Sequence, residues 1–332
     1  MLSLVGCSTA SPSPARGWAA KAMDVQAPRF IDPAELARIA HLPLIARTVV
    51  AGLGTGLHRG WRTGGAAEFA QYRPYVPGDD PRRLDWRLYG RSDRLHIRQF
   101  DEETNLACTV LLDCSGSMDY GSGAVDKFRY GQMLAACLVW LAAAQGDAVG
   151  LIAFADKVLY AEPARRQAGQ SQRLLARLQG LEAQGCTAAD GALAYAAQAL
   201  PARGLVIVIS DLLQPVDTLD ASLRQLGARR HDTLVLQISD PAEETFPFAG
   251  ILELVDAEDG RQIVAVPQAV RQGYLENRQR HFQQLRRVCL EAAIDLAEFT
   301  CSRPLDLALH HYIHRRRRLL RARGRQGWSQ GA

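Results

Sequence analysis

Between residues 107 and 238 the chain alternates short, continuously apolar runs with longer stretches of helical period. The apolar runs fall at 107–113, 148–154, 205–211 and 233–238, with a shorter one at 157–160. The helical periods cover 127–144, 171–181, 190–200 and 218–228. Runs that are apolar at every position, rather than at every second one, predict strands buried on both faces, and intervening helices predict parallel pairing. The expected fold class is α/β: a Rossmann-like, mostly parallel sheet with helices on both faces. Such sheets bind ligands beyond the carboxyl ends of their strands, which is where Asp113 and Asp211 stand.

The flanks read differently. Residues 31–50 carry one helical period opened by Asp32-Pro33. Gly52-Leu53-Gly54-Thr55-Gly56 lacks Gly-Lys-Ser/Thr and is expected to be a connector, not a phosphate loop. Residues 68–103 are dense in both charge signs and in aromatics, with too little continuous apolar pattern for a core of their own. That stretch is expected to pack on the larger domain, with Arg and Asp paired and Tyr, Trp and Phe inserted. After Pro241, segments 251–255 and 262–266 flank Asp259-Gly260 and predict a β-hairpin, followed by a helix at 270–292, a strand at 296–299 and a helix at 305–314. The expected organisation is a disordered or mis-started leader (1–30), an N-terminal helix with the charged module (31–105), the α/β domain with a hairpin insertion near 247–268 (106–314), and a basic tail (315–332).

Composition narrows the class of partner. The net charge of +4 over 332 residues is supplied largely by the arginines after His314, so the body gives no general case for nucleic acid. The tail itself reads as solvated, with binding to an anionic surface or nucleic acid as the alternative. The seven cysteines have no C-x-x-C spacing, and reduced thiols in a cytoplasmic protein are expected. Leu4-Val5-Gly6-Cys7 resembles a lipoprotein cleavage box, but no Lys or Arg precedes it, and the apolar stretch is shorter than the ~7–15 residues of a signal core. The strongest apolar run, 133–144, is shorter than the ~18–20 residues of a membrane span and reads as a core helix.

The candidate chemistry lies at the end of the first apolar run, in Asp113-Cys114-Ser115-Gly116-Ser117. One carboxylate and two hydroxyls at alternate positions of a tight turn present hard oxygens on one side, with Gly116 allowing the bend. Thr187 and Asp211 supply matching oxygens from later elements. Together the five resemble the metal-ion-dependent adhesion site of von Willebrand factor A domains. Their oxygens suit Mg²⁺ or Mn²⁺ rather than Zn²⁺. With three neutral hydroxyls among the ligands, the ion would accept one further anionic oxygen, expected from a partner protein's Asp or Glu at an exposed sheet rim.

A second motif precedes this one: Tyr72-Arg73-x-Tyr75-x-Pro77-Gly78-Asp79-Asp80-x-Arg82-Arg83-x-Asp85-Trp86, joined downstream to Asp113-x-Ser115-x-Ser117-Met118. On these two motifs the chain closely resembles the bacterial family called domain of unknown function 58, over roughly residues 64–318. The resemblance implies a von Willebrand factor A-like protein working with a MoxR-type AAA+ ATPase in chaperone-like maturation of client proteins. Arg73, Asp79, Asp80, Arg82, Asp85, Trp86, Arg91 and Arg98 either fix the charged module to the main domain or form a partner-docking face. An enzyme is not expected. A phosphatase of the haloacid-dehalogenase type would need an acid where Ser115 stands, and a serine hydrolase would need a glycine two residues before its serine. A metal-dependent hydrolase remains the alternative.

Overall fold

The structure, a computed structural model, describes residues 31–39, 41–53, 69–75, 84, 86–92, 94–100, 107–201, 204–229, 231–255, 261–307 and 309–310. In chain order the front part contains α1 (Pro33–Ala37), α2 (Leu42–Gly52), β1 (Phe69–Pro74), α3 (Trp86–Ser92) and β2 (His96–Phe100). The body begins with β3 (Ala107–Asp113), α4 (Lys127–Ala144), β4 (Ala148–Phe154), β5 (Val158–Arg165), α5 (Gln170–Gln179) and α6 (Ala189–Ala199). It continues with β6 (Leu205–Ser210), α7 (Val216–Ala228), β7 (Asp232–Ser239), α8 (Pro241–Thr245), β8 (Leu252–Val255), β9 (Gln262–Ala265), α9 (Pro267–Glu291) and β10 (Asp295–Thr300).

The six-stranded sheet has the order β10-β7-β6-β3-β4-β5. Pairing is parallel throughout except that β5 runs antiparallel to β4. The expected mostly parallel sheet is therefore present. Alternate residues of the central strands enter opposite cores: Val110, Leu112, Ile207 and Ile209 on the side of α2, α4 and α5, and Leu111, Val206 and Val208 on the side of α6, α7 and α9. This two-sided burial is why those strands read as unbroken apolar runs.

Three departures from the sequence reading have local causes. The strand expected at 157–160 continues to Arg165, past Pro163, because β5 is an edge strand, where a proline need not donate to the ladder. The single helix expected over 31–50 is broken into α1 and α2, since Pro43 in the first turn of α2 disfavours helix in the residues before it. α8 was not anticipated; Asp240 and Glu243 form a reciprocal capping box that starts it at Pro241.

α4 is apolar nearly all round because it lies between the sheet and helices α2 and α5. Among the described residues, no helix is long and apolar enough to cross a membrane. Leu42, Ile45, Ala46 and Val49 of α2 are fully buried in the same core, so this helix packs with the body.

α7 meets the end of α9 where Gly227 faces the carbonyl of Ala292, and a Cβ there would overlap that backbone oxygen. Gly227→Ala is expected to lower stability by about 1–3 kcal/mol. Gly191→Ala, within α6 and facing open space, is expected to leave it unchanged or raise it by up to about 1 kcal/mol. Thermal denaturation of the two variants checks the contrast.

Candidate metal centre

β3 delivers Asp113 to the carboxyl edge of the sheet, and the chain then turns at once. Ser115 N–H donates to Asp113 Oδ1 at 2.9 Å, and a 3₁₀ turn over Gly116–Asp119 carries Ser117 back beside Ser115. The two hydroxyl oxygens are 3.1 Å apart. A second loop is fixed to this turn by two backbone bonds of 2.8 Å each, Gly116 N–H to Gly185 O and Gln184 N–H to Cys114 O. Gly185 takes φ +80°, a left-handed conformation that glycine adopts without steric cost. Thr187 follows on the same loop, its carbonyl accepting from Gln214 Nε2 at 2.5 Å. Gln214 Oε1 in turn accepts from Ala189 N–H at 2.9 Å, so the segment after β6 holds the start of α6 in place.

Asp211 directly follows β6, the strand adjacent to β3. Its Oδ2 accepts from Lys127 Nζ at 2.8 Å, and the same ammonium reaches Glu243 at 2.6 Å. Lys127 was not recognised from sequence, although a signal existed: a lysine in the first turn of a helix opposes the helix dipole and needs another reason to be there. Ser210 was also missed. Its hydroxyl donates to Asp113 Oδ2 at 2.6 Å and its oxygen accepts from Leu212 N–H at 3.0 Å.

The expectation of an exposed rim does not hold for the acids. Asp113, Ser115 and Lys127 are fully buried and Asp211 is 1% exposed, because α4, α8 and the loop after β6 close over them. Ser117 and Thr187 are half-buried and Cys186 is exposed, so access to the hydroxyls is from that side. Burial, and then the negative charge of Asp211, push the Asp113 carboxyl up to about 7. Lys127 is shifted the other way: despite burial, its two carboxylate partners hold it above the usual lysine range.

The donors fit a hard divalent ion. Neighbouring ligands of an octahedral Mg²⁺ at about 2.0–2.1 Å from the metal lie about 3 Å from one another, close to the Ser115–Ser117 separation. With Asp113 ionised, Asp113, Asp211 and Glu243 against Lys127 would carry a formal charge of −2, which one divalent cation would balance. Asp113, Ser115 and Ser117 would hold such an ion with Thr187, while Asp211, engaged by Lys127, would act from behind them.

The other candidate residues are placed less compactly. Arg73 lies on β1 and Arg98 on β2, an antiparallel pair in which Tyr72 faces Arg98 and Arg73 faces Ile97. Trp86 and Arg91 lie on α3. Trp86 was expected to insert as an anchor but is 64% exposed, its ring edge-on to Tyr89. Asp79, Asp80, Arg82 and Asp85, like the leader and the arginine tail, lie outside the described residues.

A family profile with the description "Protein of unknown function DUF58" matches residues 71–284. Uncharacterized proteins of Mycobacterium bovis and Mycobacterium tuberculosis are each 31% identical to the chain over 233 residues, 69% of this chain and 73% of theirs. Among solved structures, BatB from Bacteroides thetaiotaomicron is 17% identical, with a TM-score of 0.45, over 64% of this chain and 98% of its own. The VWA domain of SpRpn10 is 13% identical, with a TM-score of 0.38, over 62% of this chain and 94% of its own.

Proposed function

The chain belongs to the family described as protein of unknown function DUF58, and from that premise we propose that it is a non-enzymatic, metal-dependent protein-binding component. In this reading a Mg²⁺ or Mn²⁺ ion held by Asp113, Ser115, Ser117 and Thr187, with Asp211 behind them, takes a carboxylate from a partner protein. The partner is a MoxR-type AAA+ ATPase or its client, and the setting is cytoplasmic maturation or remodelling of client proteins. The observation that carries the proposal is the convergence of the Ser115 and Ser117 hydroxyls, 3.1 Å apart, beside Asp113 at the carboxyl end of the central strand.

The ion would supply a directional, charge-assisted contact, and the residues around it have other tasks. Ser210 and the Ser115 N–H orient Asp113. Lys127 neutralises part of the acidic charge, which lowers the repulsion between Asp113 and Asp211.

Isothermal titration calorimetry on the full chain tests the reading. One Mg²⁺ or Mn²⁺ is expected to bind at micromolar to millimolar concentration, with at least tenfold weaker binding in Ser117→Ala. Absence of binding in a folded sample at several millimolar ion overturns it. Melting temperature is expected to rise with Mg²⁺ and to return to its starting value with chelator.

A further inference from the structure

Leu212, the residue after Asp211, takes the left-handed backbone conformation, with φ +53°. A Cβ makes that conformation costly, so it persists only where the surroundings hold it. Three restraints do so here. The Leu212 side chain is fully buried in the core shared with α6, α7 and α9. Its N–H donates to Ser210 Oγ at 3.0 Å. Its carbonyl accepts from Nε2 of His281, on α9, at 2.7 Å, which assigns the proton to that nitrogen because a carbonyl cannot donate. The third restraint is the one that comes from far along the chain, 69 residues away.

The strained residue is the middle of a short segment that spans the metal centre. Before it, Ser210 donates to Asp113 Oδ2, and Asp211 takes the Lys127 ammonium. Beyond it, Leu213 N–H donates to Asp211 Oδ1 at 3.4 Å, and Gln214 bonds the Thr187 carbonyl and the Ala189 N–H. Segment 210–214 thus contains one of the candidate metal residues and is bonded to two others, on two different loops. A change of backbone conformation at Leu212 would move Asp211 and Gln214 relative to one another.

We propose that His281 is a positioning residue of the metal centre: by holding the Leu212 carbonyl from α9, it keeps segment 210–214 in the one conformation that places Asp113, Asp211 and Thr187 together. The ring is itself oriented, edge-on to the buried Phe282 with centroids 5.0 Å apart. Without its N–H, the carbonyl of a fully buried residue loses this partner, and the balance shifts toward less strained backbone conformations that turn the adjoining peptide groups. Mg²⁺ demands near-ideal octahedral placement of its ligands, so a loosened segment weakens its binding. The consequence for the ion rests on the metal-dependent reading; the restraint on the segment does not.

The test uses the full chain with His281→Leu, which removes the donor, and His281→Gln, whose amide nitrogen can replace Nε2. Hydrogen exchange in chelator, followed by mass spectrometry, reads the segment directly. Peptides covering residues 210–216 are expected to exchange at least tenfold faster in His281→Leu and within twofold of the parent in His281→Gln, while β3 keeps its protection in both. Calorimetry is expected to show Mg²⁺ bound at least fivefold more weakly by His281→Leu and with near-parent affinity by His281→Gln. Parent-like exchange of 210–216 in His281→Leu overturns the proposal. Equal losses in the two variants do so as well, since they would trace to packing of the ring rather than to its N–H. Faster exchange with unchanged Mg²⁺ affinity also overturns it, because the segment would then move without the metal centre. If the metal reading alone fails, the parent chain binds no Mg²⁺ while the exchange contrast between the two variants remains; if His281 alone fails, all three proteins bind Mg²⁺ alike.

Discussion

Lys127→Met is expected to lower folding stability by about 3–5 kcal/mol, the cost of leaving a buried charge without its partner. The ammonium is fully buried and holds Asp211 at 2.8 Å and Glu243 at 2.6 Å. Methionine preserves most of the side-chain volume, so the loss is electrostatic. The Asp211 carboxylate, itself 1% exposed, then has no neutralising neighbour, whereas Glu243, at 14%, finds some relief in solvent. Lys127→Met combined with Asp211→Asn is therefore expected to recover a large part of the loss, giving a coupling energy above about 1 kcal/mol in a double-mutant cycle. Urea denaturation in chelator measures it, and a single-variant loss below about 1 kcal/mol would show that the buried pair does not support the fold. The same substitution makes the metal centre more negative by one charge. Mg²⁺ should then raise the melting temperature of Lys127→Met by more than it raises that of the parent chain.

The central strands were legible because their environment is uniform: Val110, Ile207 and Leu234 are each buried, and continuous apolar runs record this directly. The edge was harder. β5 alternates, contains Pro163, and gains its last residues only by pairing with β4, a non-local contact that no short window reveals. α1 and α2 resemble one helix until Pro43 is given its effect on the residues before it. In the metal centre, Asp113, Ser115 and Ser117 were legible because they are local in sequence and alternate on one turn. Lys127 and Glu243 were not, since Lys127 reaches Asp211 across 84 residues and Glu243 across 116, and only the packing of α4 and α8 over the sheet edge brings them together. For the same reason sequence placed the acids at an open rim. Nothing in Asp113-x-Ser115-x-Ser117 records that Ser210 and Lys127 close over it.

That closure changes what substitution of Asp113 means. Both carboxylate oxygens are already hydrogen-bonded, Oδ1 to Ser115 N–H at 2.9 Å and Oδ2 to the Ser210 hydroxyl at 2.6 Å. Asp113→Ala removes two acceptors in a fully buried place and leaves a small cavity, so it is expected to cost about 2–4 kcal/mol. Loss of partner binding in that variant would then confound misfolding with loss of metal. Asp113→Asn separates them. Its Oδ1 can accept the Ser115 N–H and its amide can donate to Ser210 Oγ, whose hydroxyl hydrogen is free to rotate. It also removes the repulsion with Asp211 that, after burial, helps push the native carboxyl up to about 7. Stability of Asp113→Asn is therefore expected to lie within about 1 kcal/mol of the parent at neutral pH, while Mg²⁺ affinity falls at least tenfold because an anionic donor is gone. Urea denaturation and calorimetry on the two variants check both halves. Parent-like Mg²⁺ affinity in Asp113→Asn would remove Asp113 from the ligand set, and parent-like stability in Asp113→Ala would show that its two hydrogen bonds do not hold the turn.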